Sequence, residues 1–346
     1  MRAGQAREVA RHWVDAEAGA IPGLLGVYLA GSINGLPDEA ELPATSDIDV
    51  MVVLDGPAPP LKPGKFRYQD ALLEVSYLSA DKFESAEQLL ANFQLSPGFR
   101  AGAILLDPTG RLAEVQRPVA EAFAERAWVL RRCEHTLNNL RGMLAYSERT
   151  DTLREQATGW LFGTSGPTQL MLVAGLRNPT VRKRYLAARE LLADYGRLDI
   201  YERLLEQLGC GQMTPARVSE HLEALADAFD TASAVGRTPY AFLSDISRVA
   251  RPISIDGSQE LIAQGNHREA VFWIVATYAR SLHILHDDAP VDVQESFKVG
   301  FRSLLADLGI RSSSDIQRRN AAVLGCLPRL WDVAMNVVAA TPAVTD

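Results

Sequence analysis

A chain of 346 residues is long for one core, and its 47% hydrophobic and 23% charged residues are globular values that exclude a disordered protein. The net charge of −8, from 43 acidic against 35 basic residues, counts against a dedicated nucleic-acid binder, because phosphate contacts draw on Lys and Arg. Three cysteines (Cys133, Cys210, Cys326) without a CxxC pair suggest neither a disulfide framework nor a zinc site, and the absence of a signal-peptide core or an apolar run of about 20 residues predicts a cytoplasmic protein with no membrane partner.

Val9, Trp13 and Val14 recur near helical spacing and predict a first helix over 6–18. Strand-like runs follow at 25–30, 48–54, 72–78 and 103–106. The segment Asp55-Gly56-Pro57-Ala58-Pro59-Pro60 cannot continue a strand, since proline lacks an N–H and fixes its own φ. Between the third and fourth runs, Phe83, Ala86, Leu89, Leu90 and Phe93 share one side of a predicted helix over 81–93. After Asp107-Pro108-Thr109-Gly110 the pattern turns helical, at 113–147, 168–175, 179–195, 215–234, 268–286, 291–308 and 315–340. A break at 251–258 divides these helices into two subclusters. The expected fold class is α+β: a small mixed β-sheet domain over 1–110, followed by an all-α helical domain over 111–346.

Three acids stand out within the predicted strands. Side chains on a strand alternate between faces, so Asp47 and Asp49 point one way, about 7 Å apart at ~3.3 Å per residue. Ile48, Val50, Val52 and Leu54 point the other way. Glu74 lies within Leu73-Glu74-Val75 on the next strand, which can bring it alongside. At ~5 Å and an effective dielectric of ~20, each pair of carboxylates repels by roughly 3 kcal/mol. Proton uptake, a basic side chain or a divalent cation must offset that, and hard oxygen ligands of this kind suit Mg²⁺. Upstream, Val27-Tyr28-Leu29-Ala30 runs into Gly31-Ser32-Ile33-Asn34-Gly35. Gly31 lets backbone N–H groups approach an anion, Ser32 adds a hydroxyl donor, and a helix starting there would add its dipole.

An apolar strand, Gly-Ser, a variable loop, an apolar-flanked acid pair and a third acid between apolar residues together resemble the polymerase-β-like nucleotidyltransferase superfamily. The similarity covers residues 25–78, and 103–110 is similar to the post-core strand and turn of its bacterial small-molecule branch. The resemblance implies that Gly31 and Ser32 hold phosphates. It also implies that Asp47, Asp49 and Glu74 are catalytic and bind metal, with two Mg²⁺ ions, and that Glu74 is either the third ligand or the base for the acceptor hydroxyl. ATP or another nucleoside triphosphate is then the co-substrate. The loop 36–45 is longer and more acidic than the compact form of that group, either a lid or a surface insertion. An α/β catalytic domain followed by helices is also the layout of aminoglycoside nucleotidyltransferases, by architecture alone.

In the helical half, Arg177-Asn178-Pro179-Thr180-Val181-Arg182-Lys183-Arg184-Tyr185 is the densest basic run. Arg177, Arg182 and Lys183 are the candidates to cross the cleft and hold the triphosphate, with Tyr185 near the base. His283 and His286 share a helix face but lack a third ligand, and Gly163-Thr164-Ser165-Gly166-Pro167 reads as a helix–helix connection. The expected reaction is transfer of AMP from ATP to a hydroxyl of a small-molecule acceptor, releasing pyrophosphate. An acidic cleft favours a cationic, aminoglycoside-like acceptor. The competing readings are a protein or RNA acceptor, and a non-catalytic nucleotide-sensing module.

Overall fold

The computed structural model describes Met1–Asp346. Five strands form one mixed sheet in the order β3-β4-β2-β1-β5. They are β1 (Leu24–Leu29), β2 (Ile48–Leu54), β3 (Gly64–Tyr68), β4 (Ala71–Ser79) and β5 (Ile104–Leu106). Only β2 and β4 run parallel. Four strands lie where the apolar runs predict them, and the sequence reading passes over β3. It is a short edge strand paired antiparallel to β4 through the two-residue turn Gln69-Asp70.

The sheet is buried on both faces. Helix α1 (Ala3–Glu17) lays Ala6, Ala10, Trp13 and Val14 on Val27, Leu29, Ile48, Val50, Val52, Leu73 and Val75. The opposite face takes α2 (Ala86–Ala91), α3 (Ser96–Ala101) and α4 (Arg111–Ala122) over Leu25, Tyr28 and Val53. The helix predicted at 81–93 is in fact a 3₁₀ turn at Ala80–Phe83 followed by α2, because Ser85 caps a new start by accepting from the Gln88 N–H. Leu112, Val119 and Phe123 pack on this face, so the two cores part near residue 124 rather than at 110.

The helical half contains α5 (Arg126–Arg149), α6 (Leu153–Thr164), α7 (Gly166–Ala174), α8 (Arg184–Asp194), α9 (Leu198–Leu208), α10 (Pro215–Val235), α11 (Gly257–Ala263), α12 (His267–Asp288), α13 (Val291–Asp307) and α14 (Ser313–Ala340). The 251–258 stretch does not split it. Pro252–Asp256 is a π-helical turn leading into α11, and Ile255 joins a single core of 57 buried residues. Gly163 and Gly166 do mark a helix connection, where a Cβ on either would overlap Leu144 or Leu140 of α5. One exception to the expected absence of apolar spans is α14, whose best 18 residues have mean hydropathy 1.3. Its Val323, Leu327, Leu330, Val333, Val337 and Val338 belong to the helical core.

Contacts from α5 and from the turn Leu243–Asp245 help tie the halves. Buried Arg132 of α5 donates to the carbonyls of Leu90 (3.0 Å) and Phe123 (2.6 Å). The turn Leu243–Asp245 packs on β3, with Ser244 against Gly64.

Candidate active site

The pairing of three strands builds the site. In the parallel β2–β4 ladder Asp49 stands opposite Glu74, and in the antiparallel β3–β4 ladder Lys65 stands opposite Glu74. Lys65, Glu74 and Asp49 therefore form one row across the sheet, on the face away from α1. Asp47 precedes β2 and points the same way. Ligand oxygens of Asp47, Asp49 and Glu74 all lie within 4.8 Å of one another. The alternation read from the sequence thus holds, and it places the three acids together.

At the end of the row the Ala30 N–H donates to the Asp49 carbonyl at 2.9 Å, which brings the Gly31-Ser32 turn against the acids. Gly31 has φ +72° and ψ −163°, and a Cβ there would overlap Asp49 Oδ2. Glycine is required on both counts. The turn that follows is a 3₁₀ segment, Ser32–Gly35, too short to supply a helix dipole. Its Asn34 side chain donates to the Leu29 carbonyl at 2.8 Å and clamps the turn. Ser32 is exposed at the mouth. The acidic loop is docked on the N-terminal segment and α1: the Ala3 N–H donates to the Ala40 carbonyl, the Leu42 N–H donates to the Met1 carbonyl, and Arg7 pairs with Asp38.

Two lysines that the sequence reading passed over neutralise much of the acidic charge. Lys65 Nζ lies 2.6 Å from Asp47 Oδ2 and also pairs with Glu74, while Lys62 pairs with Glu74 from the other side. Asp245, from the helical half, is 3.4 Å from Lys65. The protonation pattern follows. Burial, then Asp47 and Glu74, pushes Asp49 up to about 8. Burial pulls Glu74 up as well, but Lys65 and Lys62 outweigh it and hold the carboxyl at about 2. Burial raises Asp47 despite Lys65. Burial alone would lower Lys65, yet Asp47, Glu74 and Asp245 carry it above the ordinary lysine range. Proton uptake and a basic side chain, two of the three expected remedies for carboxylate repulsion, are both present.

The basic run divides. Arg182 reaches the cleft, where Nη2 donates to the Thr45 carbonyl at 3.1 Å; burial lowers its pKa, which Asp47 and Glu260 only partly offset. Its Nη1 is buried against Gly257 without a partner. Lys183 is exposed next to Arg182, with Glu260 and Glu190 nearby. Arg177 turns outward and pairs with Asp194 at 3.1 Å. Tyr185 is fully buried in the helical core beside Phe272, far from any role at a nucleobase. The physical reason is that α8 starts only at Arg184, so 178–183 form a turn and the helix phase assumed from Pro179 does not apply. His283 stacks on Tyr240 at 4.0 Å and gathers no metal ligands.

A signal for Lys65 exists in the sequence. Lys65-Phe66-Arg67-Tyr68 alternates, and the turn Gln69-Asp70 sets Tyr68 opposite Ala71, so residue 65 must face residue 74. Asp245 has no such signal. Comparison of the chain with protein-family models and with curated proteins gave no match.

Proposed function

We propose that this protein is a metal-dependent nucleotidyltransferase that moves NMP, in our reading AMP from ATP, to a hydroxyl of a small-molecule acceptor and releases pyrophosphate. The observation that carries the reading is the convergence of three carboxylates within 4.8 Å beside a glycine turn whose backbone only glycine can adopt. Carboxylate oxygens are the donor set that Mg²⁺ takes, so Asp47, Asp49 and Glu74 fit that ion. When bound, Mg²⁺ would neutralise charge on the triphosphate and its leaving pyrophosphate. Gly31 keeps its backbone open to the phosphates next to Asp49. Arg182, whose Nη2 reaches the Thr45 carbonyl, and exposed Lys183 supply positive charge from the helical half. Lys62, which pairs with Glu74 from the side opposite Lys65, would face phosphate oxygens once the acids are taken up by metal. Exposed Glu260, which accepts from the Thr45 hydroxyl, adds negative charge to the cleft, which favours a cationic acceptor.

The deciding assay measures pyrophosphate release from ATP across a panel of hydroxyl acceptors. Asp49→Ala should lower turnover ~100-fold or more. Equal turnover in both proteins rejects the reading.

One observation favours a second reading: Lys65 already spans Asp47 and Glu74. The acids would then be counter-ions that hold Lys65 of β3 against β2 and β4, with no catalytic role. Failure of Mn²⁺ and Mg²⁺ to bind at millimolar concentration would select it.

A further inference from the structure

We infer that Asp245 is the alternative seat of the Lys65 ammonium, and that it sets how readily a divalent cation enters the site. The inference rests on the metal-binding reading of Asp47, Asp49 and Glu74. The Lys65 side chain is 6% exposed, and its Nζ faces three acids: Asp47 at 2.6 Å, Glu74 in direct contact, and Asp245 at 3.4 Å. The first two are oxygens that a metal needs. Ammonium and metal cannot share them, because like charges at contact distance in a poorly solvated site repel strongly.

Lys65 therefore has to move for metal to enter. Its stem is fixed in β3 and buried, so retreat into water is closed. Glu74 is already paired with Lys62 on its other oxygen. That leaves Asp245, itself 6% exposed, whose Oδ1 is the most distant of the three partners and whose Oδ2 is buried with no hydrogen-bond partner at all. A buried carboxylate oxygen without a donor is costly, and an approaching ammonium would satisfy it. The turn that carries Asp245 packs on β3 through Ser244 and Gly64, so the receiving group is held in place by the helical half. Asp245 is thus a positioning residue: it acts on the metal only through Lys65.

The test is calorimetric titration of the full-length protein with Mn²⁺ alone, without nucleotide. Asp245→Asn should weaken Mn²⁺ binding about tenfold, the scale of outer-sphere partners. Lys65→Met removes the competing cation and should bind Mn²⁺ more tightly than wild type. Adding Asp245→Asn to Lys65→Met should then change affinity less than about twofold, a coupling that a merely structural role would not produce. If Lys65→Met does not fold, Lys65→Gln takes its place in the same cycle. The inference is overturned if Asp245→Asn binds like wild type, or if its loss persists unchanged without Lys65. A wild-type protein that binds no Mn²⁺ overturns the metal reading, and this inference with it.

Discussion

Replacing Gly31 by alanine probes the contact that joins the turn to the acids. At φ +72° and ψ −163° the backbone lies in a region open almost only to glycine, and a side chain there costs about 1–3 kcal/mol. The added Cβ also overlaps Asp49 Oδ2, so the carboxylate must rotate off its preferred position, at about 0.5–1.5 kcal/mol more. The sum is about 1.5–4.5 kcal/mol. At roughly 2–4 °C per kcal/mol, the value for 150–250 residues, the melting temperature falls by roughly 3–18 °C. Gly35→Ala is the control: its φ is not positive and a Cβ there meets nothing within 4 Å, so it should be neutral or slightly stabilising. In an Asp49→Ala background the overlap vanishes and only the backbone part remains. Differential scanning calorimetry of the five proteins (wild type, the three single variants and the double variant) separates the two contributions. Gly31→Ala melting with wild type would refute the backbone argument, and an equal cost in both backgrounds would refute the contact with Asp49.

Metal-free stability should fall as pH rises from about 4 to about 8. Asp49 binds its proton more tightly folded (about 8) than unfolded (3.8), so its contribution is complete at the acidic end and lost towards pH 8, with a slope of at most about 1.4 kcal/mol per pH unit. Glu74 has the opposite sign: its stabilisation is present above its ordinary 4.5 and lost as pH falls towards about 2. Urea denaturation in chelator across this range checks both arms, and Asp49→Asn should flatten the upper one. Tyr185→Phe removes a buried hydroxyl that has no partner, so the melting temperature should hold or rise and pyrophosphate release should be unchanged. Arg177→Ala should likewise leave ATP affinity intact, while Arg182→Ala weakens it, by equilibrium dialysis with labelled ATP.

What the sequence makes legible are features set by local periodicity. The alternation around Asp47, Asp49 and Glu74 places them on one face because a strand has period two and the opposite set, Ile48, Val50 and Val52, is apolar enough to fix which face is buried. Strand β3 escapes notice because it follows a proline-rich stretch and carries Lys65 and Arg67 on one face, and only the pairing reveals the acids that neutralise Lys65. Tyr185 and Arg177 are misplaced for a different reason. Their positions depend on where α8 begins, and a Pro at 179 signals a start that the chain delays by five residues. Asp245 belongs to a contact between segments 180 residues apart, and no local pattern encodes that.

The Leu243–Asp245 turn has a consequence for any attempt to dissect the molecule. Because β3 is the outermost strand on its side, removing the helices would strip its cover and leave unpaired amides available for pairing with another chain. The N-terminal half expressed alone should self-associate through that rim. A transplanted helical module would need a polar turn of the same reach to keep it monomeric.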